Sequence, residues 1–367
     1  MKILVLGAGR MGYGAVYDLV RQPDVERVTV ADAIAERAHR VAAAVGNQKA
    51  YPLQLDVTNQ KAAVEAMRGH DAVLSCVVYK LNAALARAAV EARTNFCDLG
   101  GNNDVVAAEL ALDTLARNAG INIIPDCGLA PGMVAMLVAH AAARLQRLEE
   151  IHIRVGGLPQ HPKPPLDYQL VFSVEGLINE YIEPARIIRD DQITTVDSMT
   201  ELEEIEFPPP FAKLEAFQTS GGTSTLPDTF LGKVRQLDYK TIRYRGHCDK
   251  FKTMIDLGLC RGEARKMFSE LLVRNLPADE ADVVLVRVEA SGGGKKLRYD
   301  IIDRFDEKTG LSAMMRTTAF PASIVALMMA RGQTQSKGAL PQERCLNPDV
   351  FMSELTKRQI NVVEQWM

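Results

Sequence analysis

Short apolar runs alternate with amphipathic stretches throughout the first third of the chain. Runs rich in Ile, Leu and Val predict strands that are buried on both faces, and apolar positions spaced three and four residues apart predict helices. The predicted strands are 2–6, 28–30, 50–55, 71–77, 95–99 and 121–124. The helices predicted after the first strand pair are 34–45, 60–67, 82–92 and 104–118. Because strand and helix alternate, we predict an α/β fold with a parallel sheet and helices on both of its faces.

The pattern changes after about residue 150, where strand-like runs outnumber helical ones. The predicted strands of this part are 151–155, 168–172, 185–188, 193–196, 236–244, 282–291 and 296–305. A glycine-rich stretch, 292–295, separates the last two and predicts a hairpin. Helices are predicted at 175–181, 250–257 and 264–272. We therefore predict a mixed α/β domain with a largely antiparallel sheet.

The end of the chain is helical again. Residues 312–330 are apolar, with Pro321 inside them as a predicted kink or break, and 349–363 are amphipathic. We expect this segment to return to the first domain. The predicted division is a dinucleotide-binding domain of residues 1–125, completed by 312–367, and a substrate domain of residues 126–311.

Composition narrows the class of protein. The chain has 367 residues with 47% hydrophobic and 24% charged side chains, as in ordinary globular proteins of two domains. A net charge of −3 favours neither nucleic acid nor an acidic membrane surface as partner. No C-x-x-C pair occurs among the six cysteines, so we expect reduced thiols and no metal site. With no signal peptide in view, we expect a cytoplasmic protein. We also expect a homodimer that acts on a small molecule and has no membrane partner.

The first strand leads into Gly7-Ala-Gly9-Arg10-Met11-Gly12, a G-x-G-x-x-G sequence that opens a helix. Gly7 permits a tight turn, Gly9 lets the backbone approach a pyrophosphate, and Gly12 lets the helix pack closely on the strand. The free N–H groups and the dipole of the helix start attract the anion. The alternative is a glycine-rich turn of another α/β fold. We predict a Rossmann dinucleotide-binding domain with these residues at its cofactor site.

Asp32 ends the second strand, 20 residues after Gly12, where its carboxylate can accept hydrogen bonds from the adenosine ribose hydroxyls. It would repel a 2′-phosphate, so NAD is predicted rather than NADP, although the nearby Arg37 weakens that preference. Further cofactor contacts are predicted near the ends of the third and fourth strands, at Asp56, Cys76, Val77 and Asn82. For each polar residue the alternative is a helix cap.

Polar residues also follow the fifth and sixth strands, at Asp98 and Asp126. In the second half the densest polar stretch is residues 217–227, FQTSGGTSTLP, whose backbone N–H groups and hydroxyls suit a carboxylate. An arginine in the following predicted strand, 236–244, also suits a carboxylate, because its guanidinium can form two hydrogen bonds with it. The alternative is a solvated edge strand beside a flexible loop. Predicted substrate contacts are Tyr168, Glu175, Thr219, Gly222, Thr223 and Arg243, with Glu175 equally placed on a helix surface.

Six segments together resemble one family: GAGRMG, SCVVYKLN, FCDLGGN, DCGLAPGM, LEAFQTSGGTSTLP and YKTIRYRGHCDK. They are similar to the saccharopine dehydrogenase-like amino-acid dehydrogenases, and within them to the enzymes that oxidise the ε-carbon of lysine. Two positions depart from the family pattern. Val78 stands where a proline is usual, and Arg245 replaces the proline of RYPGH.

The resemblance implies NAD-dependent oxidation of the ε-carbon of L-lysine to a semialdehyde that cyclises. Because free lysine has a side-chain pKa near ~10.4, the site must neutralise the amine. Asp98, Asp126 and His247 are the predicted proton-handling residues, and Arg243 with the 219–225 loop is predicted to hold the α-carboxylate. Saccharopine or a carboxyspermidine-like amine is the alternative substrate, with Arg245 as a second carboxylate anchor. A non-enzymatic NAD sensor is a third possibility.

Overall fold

The computed structural model describes residues 1–278 and 281–367. The strands are β1 Lys2–Leu6, β2 Arg27–Asp32, β3 Ala50–Gln54, β4 Ala72–Ser75, β5 Asn95–Asp98, β6 Asn122–Ile124, β7 Glu150–Pro159, β8 Ala185–Arg189, β9 Gln192–Val196, β10 Glu203–Ile205, β11 Leu214–Gln218, β12 Gln236–Tyr244, β13 Asp282–Gly292, β14 Lys295–Arg304, β15 Gly338–Ala339 and β16 Val363–Trp366. The helices are α1 Arg10–Leu19, α2 Ala35–Ala44, α3 Gln60–Met67, α4 Asn82–Ala92, α5 Asn103–Leu110, α6 Asp113–Ala119, α7 Val134–Arg144, α8 Val174–Ile182, α9 Leu226–Phe230, α10 His247–Asp256, α11 Gly262–Asn275, α12 Ala313–Ala330, α13 Gln342–Cys345 and α14 Pro348–Lys357.

The chain divides into two compact units. Unit 1 comprises Met1–Ala139 and Met315–Gln359, and unit 2 comprises His140–Met314 and Ile360–Met367. The observed division therefore differs from the predicted one at both ends of the substrate domain. The loop after β6 and most of α7 stay with unit 1. The last residues leave it, because β16 adds to the edge of a sheet in unit 2, antiparallel to β14.

Unit 1 is built on a parallel sheet in the order β15-β6-β5-β4-β1-β2-β3. Its central strands are buried, as their continuous apolar runs predicted. The α/β Rossmann-type arrangement predicted from the sequence is confirmed. The two-residue strand β15 was not predicted, since a run of that length carries no pattern.

Unit 2 is built on a larger sheet in the order β10-β11-β12-β7-β13-β14-β16, with β8 and β9 beside β12. Its pairs are antiparallel except for β7 with β12, which confirms the predicted mixed, largely antiparallel sheet. Gly293 and Gly294 both have positive φ and form the predicted hairpin turn between β13 and β14.

One predicted strand is absent, and one predicted helix break does not occur. Residues 168–172 form no strand, because this apolar segment is buried by side-chain packing and its Leu170 N–H bonds the carbonyl of Pro277 instead of a strand. Helix α12 continues through Pro321 without a break. This helix is long and apolar enough to cross a membrane, but 89% of that window is buried inside the protein. Burial of apolar side chains on all sides offsets the ~3 kcal/mol that an internal proline costs.

Candidate functional site

The glycine-rich turn of unit 1 has the geometry of a phosphate cradle. Gly7 has φ +96°, which favours glycine. A Cβ on Gly12 would lie 1.8 Å from the carbonyl oxygen of Gly7, so only glycine lets α1 start this close to β1. A Cβ on Gly9 would meet no atom within 4 Å. The open space at Gly9, beside the N-terminus of α1 and its residues Arg10 and Met11, fits the approach of a pyrophosphate.

Asp32 is tied into the same turn. Its Oδ2 accepts a hydrogen bond from Ala8 N at 2.9 Å, and its Oδ1 accepts one from Ile34 N at 2.9 Å. The carboxylate is thereby held at the end of β2 while each oxygen keeps a lone pair for a further donor. This arrangement fits a ribose with free hydroxyls.

The other predicted cofactor residues fall into two groups. Cys76 and Val77 contact the turn, since a Cβ on Gly7 would lie 2.9 Å from the Cys76 carbonyl oxygen. Burial raises the pKa of the Cys76 thiol, which keeps it protonated. Asn82 is buried and accepts a hydrogen bond from the Ser75 hydroxyl at 2.8 Å, so it fastens α4 to β4. Asp56 differs from these three residues, because its carboxylate is exposed and caps a turn after β3.

A buried carboxyl cluster lies at the ends of β5 and β6. The Oδ1 atom of Asp98 accepts hydrogen bonds from Gly100 N at 2.6 Å and Asp126 N at 3.3 Å. The carboxyl of Glu109, which is fully buried on α5, lies beside Asp98, and neither of its oxygens has a hydrogen-bond partner in the described part of the chain. A carboxyl that is buried without a partner beside a carboxylate favours its protonated form. Burial, then the Asp98 charge, raises the pKa of Glu109 above its usual range, and burial also raises the pKa of Asp98.

Asp126 adopts a left-handed conformation with φ +59°. Its backbone carbonyl accepts a hydrogen bond from Gln342 Nε2 at 2.7 Å, and a Cβ on Gly100 would lie 1.9 Å from its Oδ1. The structure thus brings together the two predicted aspartates, Asp98 and Asp126, and adds Glu109, which the sequence analysis missed. Its signal was the helical spacing of Glu109 three residues after the buried Val106.

The second group of predicted residues surrounds a buried arginine in unit 2. Arg243 is 2% exposed, with its guanidinium 4.8 Å from the ring centroid of Tyr168 and 5.6 Å from that of Tyr181. Its Nε donates to the Tyr181 hydroxyl at 2.6 Å, and its Nη1 donates to the Ile242 carbonyl at 2.9 Å. A permanently charged guanidinium in an aromatic setting can bind a carboxylate strongly.

His247 holds this arginine through Tyr181. Its Nδ1 lies 3.0 Å from the Leu166 carbonyl, so that nitrogen carries the proton, and its Nε2 accepts from the Tyr181 hydroxyl at 3.1 Å. Burial, followed by the Arg243 charge, lowers the pKa of His247 to about 3. The predicted proton-handling role of His247 does not fit a neutral imidazole with both nitrogens engaged. The geometry makes it a positioning residue for Tyr181 and Arg243.

The glutamate of α8 that faces the arginine cluster is not the predicted one. Glu175 is exposed in the first turn of the helix, the surface position that was its alternative. Glu180 faces the cluster instead: its Oε1 accepts hydrogen bonds from Thr241 at 2.5 Å and Thr219 at 3.3 Å. Burial raises the pKa of Glu180, and the Arg243 charge opposes that rise. Glu180 lies on the buried stripe of α8, three residues after Leu177, which is the signal that identifies it.

The remaining predicted substrate residues are structural in this setting. The Thr223 hydroxyl donates to the Arg186 carbonyl at 2.9 Å, away from Arg243. A Cβ on Gly222 would lie 2.5 Å from the Tyr239 ring, so that glycine allows the loop to pack on β12. Arg245 is not a buried anchor, because its side chain is 68% exposed and pairs with the equally exposed Glu204. No cluster of metal-ligating side chains occurs in residues 1–278 or 281–367.

Family models match both parts of the chain. The model of the saccharopine dehydrogenase NADP binding domain matches residues 3–124, and that of the saccharopine dehydrogenase C-terminal domain matches residues 128–360. The chain belongs to the saccharopine dehydrogenase family. It is thus a member of an oxidoreductase family with a nicotinamide-dinucleotide-binding domain, as its resemblance implied.

Curated relatives of this family member share a fifth to a quarter of its residues. Alpha-aminoadipic semialdehyde synthase of Mus musculus is 25% identical over 72% of this chain and 29% of its own. The NADP(+)-dependent, L-glutamate-forming saccharopine dehydrogenase of Pyricularia oryzae is 25% identical over 79% of this chain and 64% of its own. Our chain therefore spans less than two thirds of either. Carboxyaminopropylagmatine dehydrogenase of Synechocystis sp. is 21% identical over 96% of this chain and 95% of its own.

Two solved structures share the fold of this family member. Apo saccharopine dehydrogenase (L-Glu forming) from Saccharomyces cerevisiae superposes with a TM-score of 0.82 at 19% identity, covering 100% of this chain and 99% of its own. Homospermidine synthase from Legionella pneumophila, solved in complex with NAD, gives a TM-score of 0.73 at 13% identity over 100% of this chain and 91% of its own. At such identities the likeness establishes the fold.

Proposed function

We propose that this family member is an NAD-dependent dehydrogenase that oxidises the ε-carbon of L-lysine. The observation that carries the proposal is the buried Arg243, a permanent cation set for a carboxylate inside unit 2. Loss of a hydride from the ε-carbon to NAD and of a proton from the amine gives the imine, which takes up water and releases ammonia to give the semialdehyde. That aldehyde closes onto its own α-amine as a piperideine carboxylate.

The cofactor residues of this chain suit NAD. A bound nicotinamide would supply the hydride acceptor for the amine carbon. Gly9 and the first turn of α1 would hold the pyrophosphate, and Asp32 would hold the ribose hydroxyls and oppose a 2′-phosphate. The matched domain model and the fungal saccharopine dehydrogenase are named for NADP, and the homospermidine synthase structure contains NAD. The choice of NAD is therefore our proposal for this chain.

The chain must also supply a route for the proton of the substrate amine. An ε-ammonium has an ordinary pKa near ~10.4 and must be neutral before its carbon can be oxidised. We assign proton removal to Asp126 or Asp98, whose carboxyl groups lie together at the ends of β5 and β6. If Asp126→Asn left the pH–rate profile unaltered, Asp126 would not be the base.

A secondary amine is the second candidate substrate. The observation in its favour is that the carboxyaminopropylagmatine dehydrogenase of Synechocystis sp. aligns over nearly the whole of both chains. Saccharopine belongs to the same chemical class, because it too presents a CH–NH bond. An NAD-binding sensor without turnover is the last alternative.

The test is the reduction of NAD, followed by absorbance, with the purified protein and a panel of L-lysine, saccharopine and carboxylated polyamines. NADP is run in parallel, together with Asp32→Ala. We expect a lysine-dependent signal with NAD, and a loss of discrimination between the cofactors in the variant. A signal with saccharopine or a carboxylated polyamine alone would replace lysine by that amine. Silence across the panel, with NAD bound, would identify a sensor.

A further inference from the structure

Arg243 and Glu180 form only a long ion pair, with no hydrogen bond between their charged groups. The Nε and Nη1 atoms of Arg243 are engaged by Tyr181 and Ile242, and Oε1 of Glu180 is engaged by two threonine hydroxyls. The remaining Nη2 of Arg243 and Oε2 of Glu180 lie 4.0 Å apart. In the described part of the chain, no residue hydrogen-bonds either of these two atoms.

This separation sets the pair apart from the structural ion pairs of the same unit. Arg287 and Asp300 form two parallel hydrogen bonds of 2.8 and 2.9 Å. A carboxylate that neutralises a buried arginine frequently forms two parallel hydrogen bonds with it, because this geometry satisfies both charges. The 4.0 Å separation leaves one donor of Arg243 and one acceptor of Glu180, of opposite charge, without a hydrogen bond between them.

A third polar group belongs to the cluster. Tyr168 is 1% exposed and packs its ring on the Arg243 guanidinium, and its hydroxyl has no hydrogen-bond partner within residues 1–278 and 281–367. A buried hydroxyl left without a partner costs free energy, and a ligand that bonds it recovers that loss. The cluster therefore offers a cation, an anion and a free hydroxyl in a buried setting.

We propose that Glu180 and Arg243 together bind the head group of an α-amino acid, with the α-carboxylate on Arg243 and the α-ammonium on Glu180. This inference rests on the proposed function and narrows its substrate class. A zwitterion matches the two opposite charges in one ligand, so neither protein charge stays uncompensated when the site is filled. Glu180 becomes a specificity-determining residue, because amines without an α-ammonium leave its carboxylate buried beside a carboxylate ligand.

Binding is the measurement that tests this inference, since it does not depend on turnover. Titration calorimetry with NADH present, which cannot accept a hydride, compares L-lysine with 6-aminohexanoate, which lacks only the α-amine. A hydrogen bond to a charged group corresponds to roughly a 10- to 100-fold preference, so we expect wild-type protein to favour L-lysine by that factor. In Glu180→Gln we expect the two affinities to agree within about threefold. The ratio is formed within one protein, so a reduced folded fraction cancels.

Glu270→Gln is the matched control, because it removes the same charge from an exposed position on α11. It should keep the wild-type preference. Equal affinities in the wild type, no binding of either ligand, or a preference that survives in Glu180→Gln would each overturn the inference. The wild-type comparison decides even where Glu180→Gln fails to fold. Zwitterion-selective binding without NAD reduction would leave the inference standing while removing the proposed function.

Discussion

A proton held by the buried carboxyl of Glu109 should make the stability of unit 1 depend on pH. The carboxyls of Glu109 and Asp98 are buried side by side, and burial, followed by the Asp98 charge, raises the pKa of Glu109 to about 11. In the unfolded chain Glu109 ionises near its ordinary pKa of ~4.3. At neutral pH the folded protein therefore holds a proton that the unfolded chain has released.

This difference in bound protons sets the direction in which the free energy of unfolding changes with pH. A group whose folded pKa is raised favours folding most below its unfolded pKa, and that contribution is lost as the pH rises toward the folded pKa. One retained proton corresponds to about 1.36 kcal/mol per pH unit. Between pH 7 and pH 9 the free energy of unfolding should thus fall by about 2.7 kcal/mol through this pair.

Glu109→Gln should abolish that dependence. The amide keeps the shape of the side chain and a donor for Asp98, but it carries no titrating proton. The exposed Glu91 on α4 provides the control Glu91→Gln, which should behave as wild type. We would measure urea unfolding by circular dichroism at pH 7, 8 and 9, fitting one transition for each unit because two units need not unfold together.

The expected result is a difference in unfolding free energy, variant minus wild type, that grows by about 2.7 kcal/mol over this range. A difference that stays constant within about 0.5 kcal/mol would refute the retained proton, because it would mean that Glu109 is charged in both states. The infrared band of a protonated carboxylic acid provides an independent check. It should be present in wild type at pH 8 and weaker in Glu109→Gln.

Three further substitutions test the geometry of the two units. Tyr181→Phe removes the hydroxyl that holds Arg243, so unit 2 should lose about 1–3 kcal/mol, measured by urea unfolding with the single tryptophan as reporter; an unchanged midpoint would contradict this. Gly9→Ala should leave the thermal midpoint of the free protein unchanged but weaken NAD binding, followed by fluorescence titration. Gly12→Ala should lower both the thermal midpoint and the affinity for NAD, because its Cβ would collide with the Gly7 carbonyl. Equal effects of the two variants on both measurements would contradict the phosphate-cradle geometry.

Short-range patterns account for what could be predicted. The strand, the G-x-G-x-x-G turn and the helix start lie within a few residues, so Gly7, Gly9 and Gly12 carry their conformational requirements locally. Asp32 was predictable for the same reason, since it ends the neighbouring strand. The hairpin at 292–295 needed only its glycines.

Partners distant in sequence account for what was missed. In the sequence, Glu109 and Glu180 look like any other helix residues. Only the orientation of each helix in the fold brings Glu109 toward Asp98 and Glu180 toward Arg243. His247 looked like a base, and only burial against Tyr181 shows that it is neutral. Residues 168–172 have the composition of a strand but no neighbouring strand to pair with.

The sequence by itself determined the alternation of strands and helices, the dinucleotide turn and the family, because these depend on spacing along the chain. Tertiary structure decided that Glu109 lies buried beside Asp98, which glutamate faces Arg243, and that β16 extends the sheet of unit 2. The physical reason is that a charge acquires its role from burial and from its neighbours in space. Neither is encoded in the spacing of residues along the chain.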